Sequence, residues 1–214
     1  MRPIQILYIH DLNGSAYGNT YQNIKKSLEK YPKIILHTID WNLKDSSISV
    51  ERLNIINYIN KNKIDILIGN SMGGYIISSI NKPKLLLNCP LDKMQLGIMG
   101  LYPDLYESYN KDLWEIYGPK NNTEVWICSS SKDKLFGTKS YNLVKNLFIN
   151  SNVNRNIFDD EHKLSYENIE KVIEALLDII KSNKDFQERY ENTTEEDMHN
   201  YMKNVQNDSI IDIY

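Results

Sequence analysis

Apolar residues fall along the chain in two alternating rhythms. Short, β-branched runs of four to eight residues occupy Ile4–Ile9 and positions 34–39, 64–68, 85–88, 125–129 and 154–158, and these predict strands. Their largely apolar character is that of strands covered on both faces. Between them, segments 21–30, 50–60, 73–80, 140–148 and 166–180 place apolar residues at spacings of three and four, the pattern of helices with one buried stripe. Strands alternating with helices predict an α/β fold, with a mostly parallel central sheet flanked by helices. The stretch 90–122 fits no single element. It holds Tyr102, Tyr106, Tyr109, Trp114 and Tyr117, aromatics that either pack as a small lid or line a pocket.

The rhythm ends near Lys181. Residues 184–214 carry eight Asp or Glu against three Lys or Arg, a net of −5 in a chain whose total is −3, which leaves residues 1–183 at +2. The chain therefore divides into a domain at 1–183 and an acidic, helical appendage at 184–214. Phe186, Tyr190, Met198, Tyr201 and Val205 recur at loosely helical spacing within it. That appendage is read either as docked, on the domain or on a second copy as a homo-oligomer contact, or as a solvated acidic helix with a frayed end.

Composition removes several classes of function. Hydrophobic residues make up 41% and charged residues 25% of the 214, so a folded core is expected, rather than a disordered chain. A net charge of −3 offers no basic face for nucleic acid, and the expected partner is a small molecule. The apolar start of the chain is too short for a secretory core, and no run approaches the 18 residues of a membrane span. A cytoplasmic protein without membrane contact is the expectation. Cys89 and Cys128 each end an apolar run and read as buried thiols. With no Cys-x-x-Cys and no paired histidines, neither a metal nor a cofactor is expected.

The strongest chemical signal is the segment Ile64-Asp65-Ile66-Leu67-Ile68-Gly69-Asn70-Ser71-Met72-Gly73-Gly74-Tyr75, a buried-type strand running into G-x-S-x-G and then a helix pattern. A serine at such a strand-to-helix turn projects its hydroxyl from the sheet, and crowding at the turn requires small neighbours, here Gly69 and Gly73. The amide of Met72 then faces the position of an oxyanion formed when Ser71 attacks a carbonyl. Glycine-rich turns of dinucleotide folds follow the first strand and read G-x-G-x-x-G, a spacing this turn lacks.

The first strand ends in Tyr8-Ile9-His10-Asp11-Leu12-Asn13-Gly14-Ser15, a turn-rich loop before a helix. Together with the elbow and with Leu86-Leu87-Asn88-Cys89-Pro90 at the end of the next strand, this loop resembles the α/β-hydrolase superfamily, in particular the small YqiA-like bacterial esterases. The resemblance covers roughly residues 4–182 and is specific at the elbow. It implies that the amide of Leu12 is the second oxyanion donor beside that of Met72, and that His10 shapes the loop. Two departures stand out. Asp11 occupies the family's glycine position, and Asp160 and Glu161 replace its glycines before the later histidine.

A serine nucleophile needs a base and an acid. In the order Ser, acid, His that the superfamily uses, only His162 and His199 follow Ser71, and His199 lies in the acidic appendage. His162, in the loop after the last predicted strand, is the candidate base. Asp133 lies in the loop after the preceding strand, 62 residues beyond Ser71 and 29 before His162, and is the candidate acid. Asp159 and Asp160 compete for that role. The resulting expectation is a serine esterase that cleaves a small ester or thioester through Ser71, His162 and Asp133, by way of an acyl-enzyme. The same fold retained as a catalytically impaired binding module is the alternative, and acyl transfer to an acceptor other than water uses the same residues.

Overall fold

A computed structural model of the chain describes residues 1–43, 46–78, 80–90, 123–136 and 153–211. The apolar runs form β1 (Ile4–Ile9), β2 (Ile34–Thr38), β3 (Ile66–Asn70), β4 (Lys84–Leu87), β5 (Val125–Ser130) and β6 (Val153–Phe158). All pair in parallel in the order β2-β1-β3-β4-β5-β6. The helices are α1 (Asn19–Leu28), α2 (Ile48–Lys61), α3 (Met72–Ser78), α4 (Tyr166–Ser182), α5 (Lys184–Asn192) and α6 (Glu195–Ile211). The helix expected over 140–148 lies outside the described residues, as does the aromatic stretch from 91 to 122. No described helix is long and apolar enough to cross a membrane.

Side chains alternate between the two faces of the sheet, so the strands feed two cores. Leu7, Ile9, Leu67, Leu86 and Ile127 point to one face, where Ile55 and Ile59 of α2 and Tyr75, Ile76 and Ile77 of α3 cover them. Ile4, Ile6, Tyr8, Ile66, Ile68, Leu85 and Leu87 point to the other, beneath Ile24 and Leu28 of α1 and the buried stripe Ile169, Val172, Ile173, Leu176 and Ile180 of α4. Coverage of both faces explains the buried runs of the inner strands β1, β3 and β4, whereas the edge strands β2 and β6 are only partly buried and β6 carries Asn154, Arg155 and Asn156. Each fully buried Ile or Leu contributes about 1.5–3 kcal/mol.

Most boundaries lie one or two residues from those the sequence pattern predicts, and the shift of β3 bears on the site. Gly69 and Asn70 read as turn residues, yet they pair with Leu86 and Leu87 of β4, so β3 extends to the edge of the turn. The elbow thereby starts directly from the sheet. At the far end of α3, the buried ammonium of Lys84 donates to the carbonyls of Ser78 and Ile80 and satisfies a helix end that is otherwise in the core.

Because β1 crosses to β2 on one side and the chain then returns to β3 on the other, the strand order reverses between β1 and β3. Such a reversal leaves a crevice at the carboxyl ends of the strands. The opposite end of the sheet is closed by the acidic segment. Phe186 of α5 is buried in the core beside α4, and Arg189 donates to both carboxylate oxygens of Asp65, at 3.0 and 2.7 Å. Arg2 grips the same carboxylate at 2.9 and 2.6 Å, and the Gln5 amide is a third donor, at 2.9 Å. Burial alone raises the pKa of Asp65, but the two guanidiniums and the amide outweigh it and hold the group below the usual carboxylate range.

Arg189→Ala leaves this carboxylate with Arg2 as its one guanidinium, beside the Gln5 amide. The expected outcome is a loss of about 2–3 kcal/mol in urea unfolding, with faster proteolysis after residue 183 mapped by mass spectrometry. An unchanged digestion pattern would overturn it.

Candidate active site

Ser71 sits between β3 and α3 with φ of +51°, in the left-handed region that β-carbon sterics disfavour. Local packing sustains this backbone. A β-carbon on Gly69 would meet Gly74 at 2.5 Å, and one on Gly73 would strike the carbonyls of Ile9 and His10. Those glycines therefore let α3 lie directly on the end of β1 and on its own parent strand. The Ser71 amide donates to the Leu87 carbonyl at 2.7 Å, which ties the turn to β4. Met72 opens α3, so its amide is among the first four of the helix, which have no acceptor within it.

The histidine loop comes from the other side of the crevice. His162 Nε2 lies 3.1 Å from Ser71 Oγ, and His162 Nδ1 lies 2.8 Å from Asp133 Oδ2. A carboxylate only accepts, so Nδ1 carries the proton, and Nε2 is left to accept the serine hydroxyl. The three residues form one hydrogen-bonded chain across separations of 91 and 29 positions in sequence. Phe136 packs edge-on against the imidazole, with ring centroids 5.3 Å apart. The His162 side chain is 22% exposed and that of Asp133 1%, so the imidazole is open to solvent while the carboxylate is sealed beneath it.

Asp133 is held by more than the histidine. Its Oδ1 accepts from the amides of Leu135 at 2.8 Å and Phe136 at 3.3 Å. Burial pushes its pKa up, but the His162 hydrogen bond and charge and these two amides overcome that cost, leaving the carboxyl below its ordinary value. The competing acids are engaged elsewhere. Asp159 pairs with Lys132 at 2.9 Å. Asp160 accepts from Glu161 and Ser165 amides and from Asn168 Nδ2, stapling the histidine loop to the start of α4.

On the β1 side, residues 10–12 abut the start of α3 through the contact of Gly73 with the His10 carbonyl. His10 is buried, stacks on Trp41 at 5.4 Å and donates from Nδ1 to the Asp11 carbonyl at 2.6 Å. The same carbonyl accepts the Gly14 amide at 3.2 Å, which closes the turn. Asp11 is not among the residues with positive φ, so its backbone does not require the glycine that the family resemblance suggests there. Its carboxylate turns toward Asn70, whose Nδ2 approaches Oδ2 at 3.5 Å. Leu12 is half-buried, with its side chain packed on the core face that contains Met72.

The remaining histidines lie elsewhere. His37 on β2 bridges Tyr58 and Gln5, and His199 is exposed on α6. Cys89 and Cys128 are free and buried, with burial pushing both thiols up, Cys128 to about 12. Among the described residues no group of three or more His, Cys, Asp or Glu is arranged to hold a metal. Sequence reading did not single out the side chain of Asn88, nor Phe136 or Ser130, as parts of this site. The signal available was that Asn88 and Pro90 at the end of β4 resemble the same YqiA-like esterases.

No protein-family model matches the chain, and no curated protein matches it in sequence. Solved structures do. The ferulic-acid complex of Est1E from Butyrivibrio proteoclasticus is 14% identical with a TM-score of 0.65, covering 84% of this chain and 90% of that one. The esterase domain of a Rhodothermus marinus protein is 14% identical with a TM-score of 0.64, covering 82% and 88%. Mouse alpha/beta hydrolase domain-containing protein 10 is 13% identical with a TM-score of 0.61, covering 81% and 89%. The chain has the α/β-hydrolase fold.

The lowered pKa of Asp133 has a definite sign in stability. Below 3.8, the ordinary value, the unfolded chain binds more protons at this group than the folded one, so stability is gained as pH rises through that interval. In urea unfolding, wild type is expected to exceed Asp133→Asn by about 2 kcal/mol at pH 5 to 8. The difference should shrink as pH falls below about 4. A gap independent of pH would contradict it.

Proposed function

We propose that the protein is a serine acyl hydrolase that cleaves a small carboxylic ester or thioester. The observation that carries this reading is the unbroken chain from Ser71 Oγ through His162 to the buried Asp133 carboxylate. That arrangement suits one task, which is to take a proton from a hydroxyl and return it to a leaving group.

In the proposed cycle, Ser71 Oγ attacks the substrate carbonyl as its proton passes to His162 Nε2. Asp133 holds the ring orientation and stabilises the imidazolium. The amides of Met72 and Leu12 receive the charge developing on the carbonyl oxygen, a contribution worth about 2.7–4 kcal/mol per donor. The imidazolium then protonates the departing alcohol or thiol, leaving an ester between Ser71 and the acyl group. Water, deprotonated by the same nitrogen, attacks that ester, and the tetrahedral adduct collapses to the free acid with the proton returned to Ser71. Each residue finishes as it started. The esterase names of two structural neighbours favour a carboxylic ester as substrate, and the 22% exposure of the His162 side chain favours a pocket open to small acyl groups.

Asp11 sets the efficiency of this site in our reading. Its negative charge sits one residue before the Leu12 amide in the chain and opposes negative charge developing there.

A fluorophosphonate probe is expected to label the wild type and to leave Ser71→Ala untouched. His162→Ala should lose about 10⁴-fold or more in turnover of short p-nitrophenyl esters, with His199→Ala at the wild-type rate. A folded wild type that stays unlabelled and inert would sink the enzyme reading and leave the fold as a binding module. Asp11→Asn is expected to raise kcat/KM about tenfold, equivalent to roughly 1.4 kcal/mol of transition-state stabilisation. An unchanged or lower value would remove the charge argument.

A further inference from the structure

The end of β4 meets all three segments that carry the hydrogen-bonded chain of the site. The carbonyl of Leu87 accepts the Ser71 amide at 2.7 Å. The next residue, Asn88, is 2% exposed and has φ of +45°, a conformation asparagine tolerates better than most residues. Its own amide donates to the Cys128 carbonyl at 2.8 Å, joining it to the last turn of the β5 ladder.

Its side chain is used in both chemical senses. Oδ1 accepts the Ser130 amide at 2.7 Å, while Nδ2 donates to Ser130 Oγ at 2.9 Å and to the His162 carbonyl at 2.8 Å. The Ser130 carbonyl in turn accepts the Asp133 amide at 3.3 Å. One carboxamide thus holds the root of the acid loop and the backbone of the base itself. These partners also settle its orientation, since only the oxygen can face an N–H and only the nitrogen can face a carbonyl.

We infer that Asn88 is a positioning residue, whose carboxamide keeps the Asp133 and His162 loops in register with Ser71. This inference rests on the hydrolase reading for its rate consequences and on geometry alone for its structural ones. His162 has no element of regular structure around it: it lies between β6 and α4, and Asn88 Nδ2 is the donor that fixes its main chain. Releasing that carbonyl frees the imidazole to move relative to Ser71 Oγ, and a misplacement of about 1 Å is enough to cost about 100-fold in rate. Neither aspartate, which cannot donate, nor glycine, which has no side chain, replaces the clamp, although both accept positive φ.

The test compares wild type with Asn88→Asp and Asn88→Gly. In both variants kcat for short p-nitrophenyl esters and the rate of fluorophosphonate labelling are expected to fall together by about 10- to 100-fold, with KM within about twofold. The downfield proton resonance of His162 Nδ1 hydrogen-bonded to Asp133, assigned by its loss in His162→Ala, should broaden or vanish while circular dichroism remains that of the folded chain. A folded variant with wild-type kcat and an intact resonance overturns the inference. Collapse of the fold in both variants also overturns it, by assigning Asn88 to folding. A wild type without turnover whose resonance is nevertheless lost in the variants keeps the positioning role and rejects the hydrolase reading instead.

Discussion

The site depends on one close approach, that of the first turn of α3 to the ends of β1 and β3. Ser71 takes a left-handed backbone that costs of order 1–3 kcal/mol, and only over-determined surroundings maintain such a conformation. Here they consist of the contact between Gly69 and Gly74, the seat of Gly73 on the Ile9 and His10 carbonyls, and the hydrogen bond from the Ser71 amide to Leu87. Because the helix lies so close, the loop after β1 and the loop after β3 share one crevice. The strained serine, the Met72 amide and the Leu12 segment are therefore consequences of a single packing decision, made by residues too small to have any chemistry of their own.

Electrostatics on the opposite wall follow a different logic. The Asp133 carboxylate is removed from water and compensated by two amides and an imidazole, so it stays ionised and fixed. The imidazole above it keeps contact with solvent. The charge is thus buried and fixed while the imidazole stays accessible, a division that fits the proposed roles of orientation and proton transfer. The loop that carries the imidazole has no regular structure, and its order comes from side chains: Asp160 and Asn168 on one flank and Asn88 on the other.

The acidic C-terminal segment is anchored at the far end of the sheet, where Arg189 and Arg2 share the buried Asp65 and Phe186 enters the core. Asp65 immediately precedes β3 and Ser71 immediately follows it. The anchoring of this segment and the elbow are thus built on the two ends of one strand. The charge asymmetry visible along the chain gives no hint of this, because the decisive residue of the acidic segment is one of its few basic ones.

Local pattern determined a large part of this protein. Periods of two and of three to four residues specify the alternation of strands and helices, since each reflects only which side of an element is covered. The elbow was equally legible, because its constraint is steric and lies within a few residues of Ser71. The order of Ser71, Asp133 and His162 along the chain was readable too, each falling in a loop after a strand. What tertiary structure alone decided is which groups face one another across the crevice. Asp133 and not Asp159 or Asp160 meets His162 Nδ1, Asn88 closes onto a carbonyl 74 residues away, and Arg189 finds Asp65 across 124 positions. Such contacts leave no periodicity behind: they arise from the order in which parallel strands lie side by side, which no local segment encodes.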